Sequence, residues 1–145
     1  VAHLPYLADT ARLEYALREA YHAADSIPVA RERLQDPRLL EARLTLAPAT
    51  RLVTSPYPVH AIWRAKTEPG APPANGRGEA VLVTRPDWDP KPVVLPADAA
   101  RFVAAVLQGQ TFDRALAAAG ENLDLAALLT LLIETKSITD IEVPA

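Results

Sequence analysis

Apolar residues recur at helical spacing through Tyr6, Leu13, Ala16, Leu17 and Ala20, with Arg12, Glu14, Arg18 and Glu19 beside or opposite them. That pattern predicts an amphipathic helix from Pro5 to Asp25, opened by a proline suited to a first turn and ended by Pro28. Asp36-Pro37 predicts a second, short helical piece through Leu40. From Glu41 the period changes to two. Arg43 to Leu46 and Thr50 to Thr54 read as strands, separated by Ala47-Pro48-Ala49 and expected to pair as a hairpin or to lie in one sheet. Pro56 and Pro58 punctuate the chain before a short helix over 59–65, with Val59, Ile62 and Trp63 inward.

The density of proline and glycine from Glu68 to Gly78 predicts a flexible loop. Beyond it, Glu79 to Arg85 is a strand rich in β-formers, and Lys91 to Leu95 returns as its partner across the turn 86–90. The last third is helical. One helix runs from about Ala97 to Leu107 and stops at Gly109. A second, over 112–119, takes Thr111 as N-cap and Gly120 as its end. A third runs over about 125–134, capped by Asn122 or Asp124, and a short strand lies within 136–143. No internal repeat is present. The elements predict an α+β fold, with an N-terminal helix and small antiparallel sheet followed by a winged-helix-like helical half. The expected division is 1–66, the loop 67–78, and 79–145, together forming one compact unit.

Composition sharpens this picture only by exclusion. An apolar share of 50% in 145 residues suffices for a buried core, and 23% charged residues is ordinary for a globular chain. With no cysteine, disulfides, thiolate metal sites and cysteine nucleophiles are excluded together. The most apolar stretch, Leu125 to Ile133, is far shorter than the about 20 residues a membrane span needs. No signal peptide is visible, which with the missing cysteine fits a cytoplasmic protein. The chain begins at Val1 and enters a helical pattern at once, so it reads as a piece of something longer.

The winged-helix outline suggests DNA binding, with the turn at Gly120-Glu121-Asn122 placed as in a helix-turn-helix. Charge argues the other way. The helix from Leu123 to Glu134 holds no Lys, Arg, Asn or Gln, so it cannot neutralise phosphates or read base edges in the usual ways. From Ala97 to Ala145, seven acidic residues face three basic ones. The plain reading of that helix is a core helix. From Val1 to Lys66 nine basic residues stand against seven acidic ones, too interspersed for a binding stripe.

Catalytic and metal chemistry finds little to work with. His3, His22 and His60 share no i, i+4 face, so a metal site within this chain is not expected. Ser26, Ser55 and Ser137 lie outside any nucleophile elbow, and Asp87 and Asp89 read as turn residues. Binding features are better represented. Trp88 sits between two aspartates at a hairpin tip, where it either anchors a partner or folds back over the sheet. The 79–85 strand would accept an added peptide strand if it lies at a sheet edge, unless 91–95 and a neighbour cover both its sides. The candidate binding residues are Val81, Val83, Arg85, Trp88 and Val94. Glu14, Trp63 and Arg64 are assigned to the scaffold.

Leu4 to Asp9, Ala11 to Glu14, Ala20 to Asp25, Pro58 to Arg64 and Gly78 to Val83 together resemble the C-terminal part of the HvfC/BufC proteins, a family once labelled DNA-binding domain proteins. The resemblance covers most of the chain. It implies a non-catalytic accessory role in maturing ribosomally made peptides, beside a TIM-barrel, iron-dependent enzyme that oxidises cysteines of a precursor peptide. The implied partners are that enzyme and that peptide. No catalytic residue or cofactor of this chain's own is implied.

Overall fold

The computed structural model describes residues 6–68 and 77–145. The fold is α+β. Helix α1 spans Tyr6–His22, followed by 3-10 turns at Arg31–Gln35 and Leu39–Glu41. Strands β1 (Arg43–Leu46) and β2 (Arg51–Ser55) precede α2 (Val59–Thr67). Then come β3 (Glu79–Thr84), β4 (Lys91–Leu95), α3 (Ala97–Leu107), α4 (Phe112–Ala119), α5 (Leu125–Glu134) and β5 (Ile138–Glu142). Pro5, expected to open α1, and His3 lie outside the described residues, as do residues 69–76 of the expected loop. Thr67, assigned to that loop, is the last residue of α2.

The expected β1–β2 hairpin does not form. β1 pairs antiparallel with β5, Leu44 opposite Ile141, while β2 joins a separate antiparallel sheet in the order β2-β3-β4. The reason is burial. Leu44 drops into a core with Ile138, Ile141 and Phe102, whereas Val53 faces Leu13 and Val59 on the far side of the other sheet. A hairpin would have placed both strands on one core. In place of the short helical piece expected from Asp36 through Leu40 there are two 3-10 turns; Asp36 ends the first, and its side chain accepts from the Arg38 amide (2.8 Å) just ahead of the second.

β3 divides two cores. Val81 and Val83 point toward α1 and α2, packing with Leu13, Ala16, Ala20 and Val59. Ala80 and Leu82 point the other way, to Phe102, Val103, Phe112 and Leu132. Alternate residues of one strand therefore hold a helical layer on each face of the sheet. Phe102 and Phe112 meet edge to face, with centroids 5.3 Å apart, where α3 packs on α4.

Local chemistry closes the helices largely as their sequence signals indicate. Thr111 Oγ1 accepts from the Arg114 amide and Asp124 Oδ1 from the Ala127 amide. Gly109 and Gly120 take positive φ beyond α3 and α4. α5 ends differently, with Lys136 itself at φ 55°. The Lys136 amide bonds Ile133 O and the Ser137 amide bonds Leu132 O, the paired closure usually built on glycine. α2 has only Pro58 at its N-cap. Its exposed amides are met from β3, where Glu79 Oε1 accepts from the amides of His60 (2.9 Å) and Ala61 (3.3 Å).

Candidate binding surfaces

The β3–β4 hairpin carries the five candidate residues, and the fold separates them. β3 is the central strand of its sheet, so the edge reading of 79–85 is corrected: β2 and β4 occupy both of its sides. Val81 and Val83 are wholly buried and offer no side-chain surface to a partner. Arg85 is corrected as well. Its guanidinium is only 7% exposed and is consumed by the end of α1, donating to the carbonyls of Ala20, Tyr21, Ala23 and Ala24 and to Asp25 Oδ1 at 2.7–3.3 Å. Ala20 and Tyr21 lie in the last turn of α1 and Ala23 and Ala24 just beyond it, where carbonyls run out of helical partners and a fixed cation complements the dipole.

Trp88 and Val94 remain on the surface. Trp88 is 85% exposed, so it does not fold back over the sheet. It borders a cleft of about 280 Å3 together with Ala24, Asp25, Ser26, Arg85 and Lys136. Ile27, next in the chain after Ser26, is 86% exposed. A Lys136–Asp87 ion pair (3.3 Å) ties the end of α5 to the hairpin turn. Nothing in the pattern of the sequence marked Ile27, since one isoleucine in a proline-flanked loop carries no period.

Val94, 40% exposed, lies on β4, which is an edge strand. Pro92 within β4 was the available signal, because proline sits in sheets at edges. A groove of about 410 Å3 opens beside Val94, walled mainly by Leu95, Ala99, Leu123, Ala127 and Leu131. α5 accordingly departs from the all-round core helix expected. Leu128 and Leu132 are buried, but Ala126, Ala127, Thr130 and Glu134 are exposed.

Ser55, Ser137 and His60 make contacts within the fold. Ser55 Oγ donates to Asp9 Oδ2 (2.6 Å) and accepts from the Tyr57 amide, tying α1 to the end of β2. Ser137 Oγ bonds Thr135 Oγ1. His60 stacks on Trp63 at 5.9 Å, and burial lowers its imidazole below the ordinary 6.5 against the opposing pull of Glu79. Among the described residues no group of three or more His, Asp or Glu side chains is placed to hold a metal ion, and no helix is long and apolar enough to cross a membrane.

The Ser55 hydroxyl and then Arg12 hold the Asp9 carboxyl below its ordinary 3.8. Because the folded value is the lower one, the stabilisation is complete above 3.8 and is lost as pH falls through the depressed value. Asp9→Asn is therefore expected to be less stable than the parent at neutral pH, with the gap closing in acid. Denaturant titrations across that range check it, and a gap independent of pH would refute the assignment.

No protein-family model matches this chain, and no curated protein matches it.

Proposed function

We propose that this chain is a non-catalytic accessory domain that binds a partner protein during maturation of a ribosomally made peptide. The observation that carries the binding reading is Trp88, 85% exposed on a braced hairpin tip. A large aromatic left in water is the type of residue that dominates interface energetics. The tip is tied down chiefly by Arg85, which anchors one side to α1, with an exposed Asp87–Lys136 pair on the other. The identity of the partners, a TIM-barrel iron-dependent enzyme and its precursor peptide, rests on the resemblance of the Leu4–Asp9, Pro58–Arg64 and Gly78–Val83 segments to the HvfC/BufC proteins. The cytoplasm is the proposed place of action.

A winged-helix DNA-binding regulator is the rival reading, favoured by the α4–turn–α5 outline. The exposed positions of α5 weigh against it: Ala126, Ala127, Thr130 and Glu134 include no cation. Titration calorimetry with the enzyme and the precursor peptide separates the two. Micromolar or tighter binding to either is expected, and Trp88→Ala should weaken enzyme binding about thirtyfold while changing stability by no more than about 0.5 kcal/mol. Binding to neither, together with a salt-dependent affinity for duplex DNA, would establish the rival.

A further inference from the structure

The three-stranded sheet has a second edge, β2. Pro92 stands opposite Val83 and has no N–H, so that pair is of the non-hydrogen-bonded kind, and the N–H and C=O of Val83 turn toward β2. Val83 lies opposite Arg51. Strand alternation then points the backbone groups of Arg51, Val53 and Ser55 at β3 and those of Leu52 and Thr54 outward. Among the described residues nothing else bonds these two donors and two acceptors. Edge strands are commonly blunted by an internal proline or a bulge, and β2 has neither.

This edge is complementary to itself. An antiparallel copy centred on Val53 sets Leu52 opposite Thr54 of the second copy and Thr54 opposite its Leu52, so every outward group of both strands is bonded. The charges follow the same symmetry. At one end of β2, Arg51 meets Glu19 of α1 at 3.8 Å. At the other end Ser55 holds Asp9 (2.6 Å), which pairs with Arg12 (3.1 Å). A two-fold axis at Val53 brings the first end of one copy against the second end of the other, so Arg51 faces Asp9 and Glu19 faces Arg12. The helices fit as well. α1 packs over both Val53 of β2 and Val81 of β3, so with strands about 4.8 Å apart the two α1 axes fall about 10 Å from each other, a helix packing distance. Their facing stripes are small and apolar, Ala8 and Ala11 beside Tyr15, and these line a cleft of about 410 Å3 at the β2 edge. We infer that two copies of this chain join edge to edge through β2 in a two-fold dimer, giving one six-stranded sheet in the order β4-β3-β2-β2-β3-β4. This goes beyond the accessory reading and holds whatever Trp88 binds.

Sedimentation velocity on the purified chain tests this. The parent is expected to double in mass with a midpoint at about 10 μM, the strength of a small interface. Thr54→Pro removes an outward donor without breaking a bond to β3 and should stay monomeric with an unchanged circular dichroism spectrum. Two charge variants make the test independent of that substitution. Arg12→Glu alone and Glu19→Arg alone each set like charges together twice across the axis, so each should raise the midpoint about tenfold. Mixed in equal amounts, they should associate near the parental midpoint, because each supplies the charge that the other lacks. A parent that stays monomeric to about 1 mM, where even weak specific contacts form, overturns the dimer. So does association that survives Thr54→Pro, or that is no tighter in the mixture than in the separate variants. A monomer whose Leu52 and Thr54 amides shift on adding a short alternating valine–threonine peptide would make the edge a peptide site and overturn it equally.

Discussion

Gly78→Val is expected to destabilise the protein by about 3 kcal/mol, at the upper end of what overpacking costs. A Cβ at this position would lie 2.5 Å from Ser55 O and 2.8 Å from the backbone of Pro56. Those neighbours are main chain, so they cannot rotate away as a side chain tip would. Gly78 is needed for close approach: it lets β3 begin flush against the end of β2, where Ser55 pairs with Glu79. Displacing that start also moves the Glu79 carboxylate off the His60 and Ala61 amides, which lie at the N-terminus of α2. Gly78→Ala should show most of the effect, because the clash is with Cβ itself. Urea unfolding monitored by circular dichroism measures it as a lower midpoint at unchanged slope. A loss below about 0.5 kcal/mol, the range of ordinary surface changes, would show that the contact is not constraining.

Arg85→Ala is expected to cost about 3 kcal/mol, the scale of removing a buried, multiply bonded charge. Four of its bonds go to carbonyls at the end of α1, and only one goes to a carboxylate. Asp25 is 96% exposed, so its ion pair contributes little. Asp25→Asn should therefore change stability by less than about 0.5 kcal/mol, which separates the carbonyl cage from the ion pair. Arg85→Lys should recover little, because an ammonium cannot fork to several acceptors at once. Hydrogen exchange in the last turn of α1 should accelerate in Arg85→Ala, and Trp88, three residues on, should lose its fixed placement. If Asp25→Asn matched Arg85→Ala, the ion pair would be the source of the effect instead.

The reading of the hairpin shows why local pattern falls short at a binding surface. The run Val81-Leu82-Val83 fits a strand at a sheet edge and a central strand buried on both faces equally well, so local pattern leaves the two open. Pro92 was the sharper clue, because it both marks β4 as the edge and dictates which of its backbone groups are free. Arg85 is an ordinary surface cation by type, and nothing in its neighbours along the chain points to a helix terminus some sixty residues earlier. Trp88 was recognisable as one of two alternatives. Only the position of the turn relative to α1 and Lys136 leaves it in water.

Order and type of nearly every element follow from the sequence alone, because period, capping residues and glycine stops act over a few residues; the ends do so less well, since α1 stops at His22 short of Asp25, α2 runs on to Thr67, and the 3-10 turn at Arg31–Gln35 carries no signal of its own. Thr111, Asp124, Gly109 and Gly120 close or open helices where their chemistry says they should. The tertiary structure decided what the strands do. β1 pairs with β5 rather than with β2, and β3 rather than β4 lies at the centre, because each strand goes where its apolar face is covered. Partner choice between strands is settled by burial across the whole chain, and so is the difference between a side chain that builds the scaffold and one left to meet a partner.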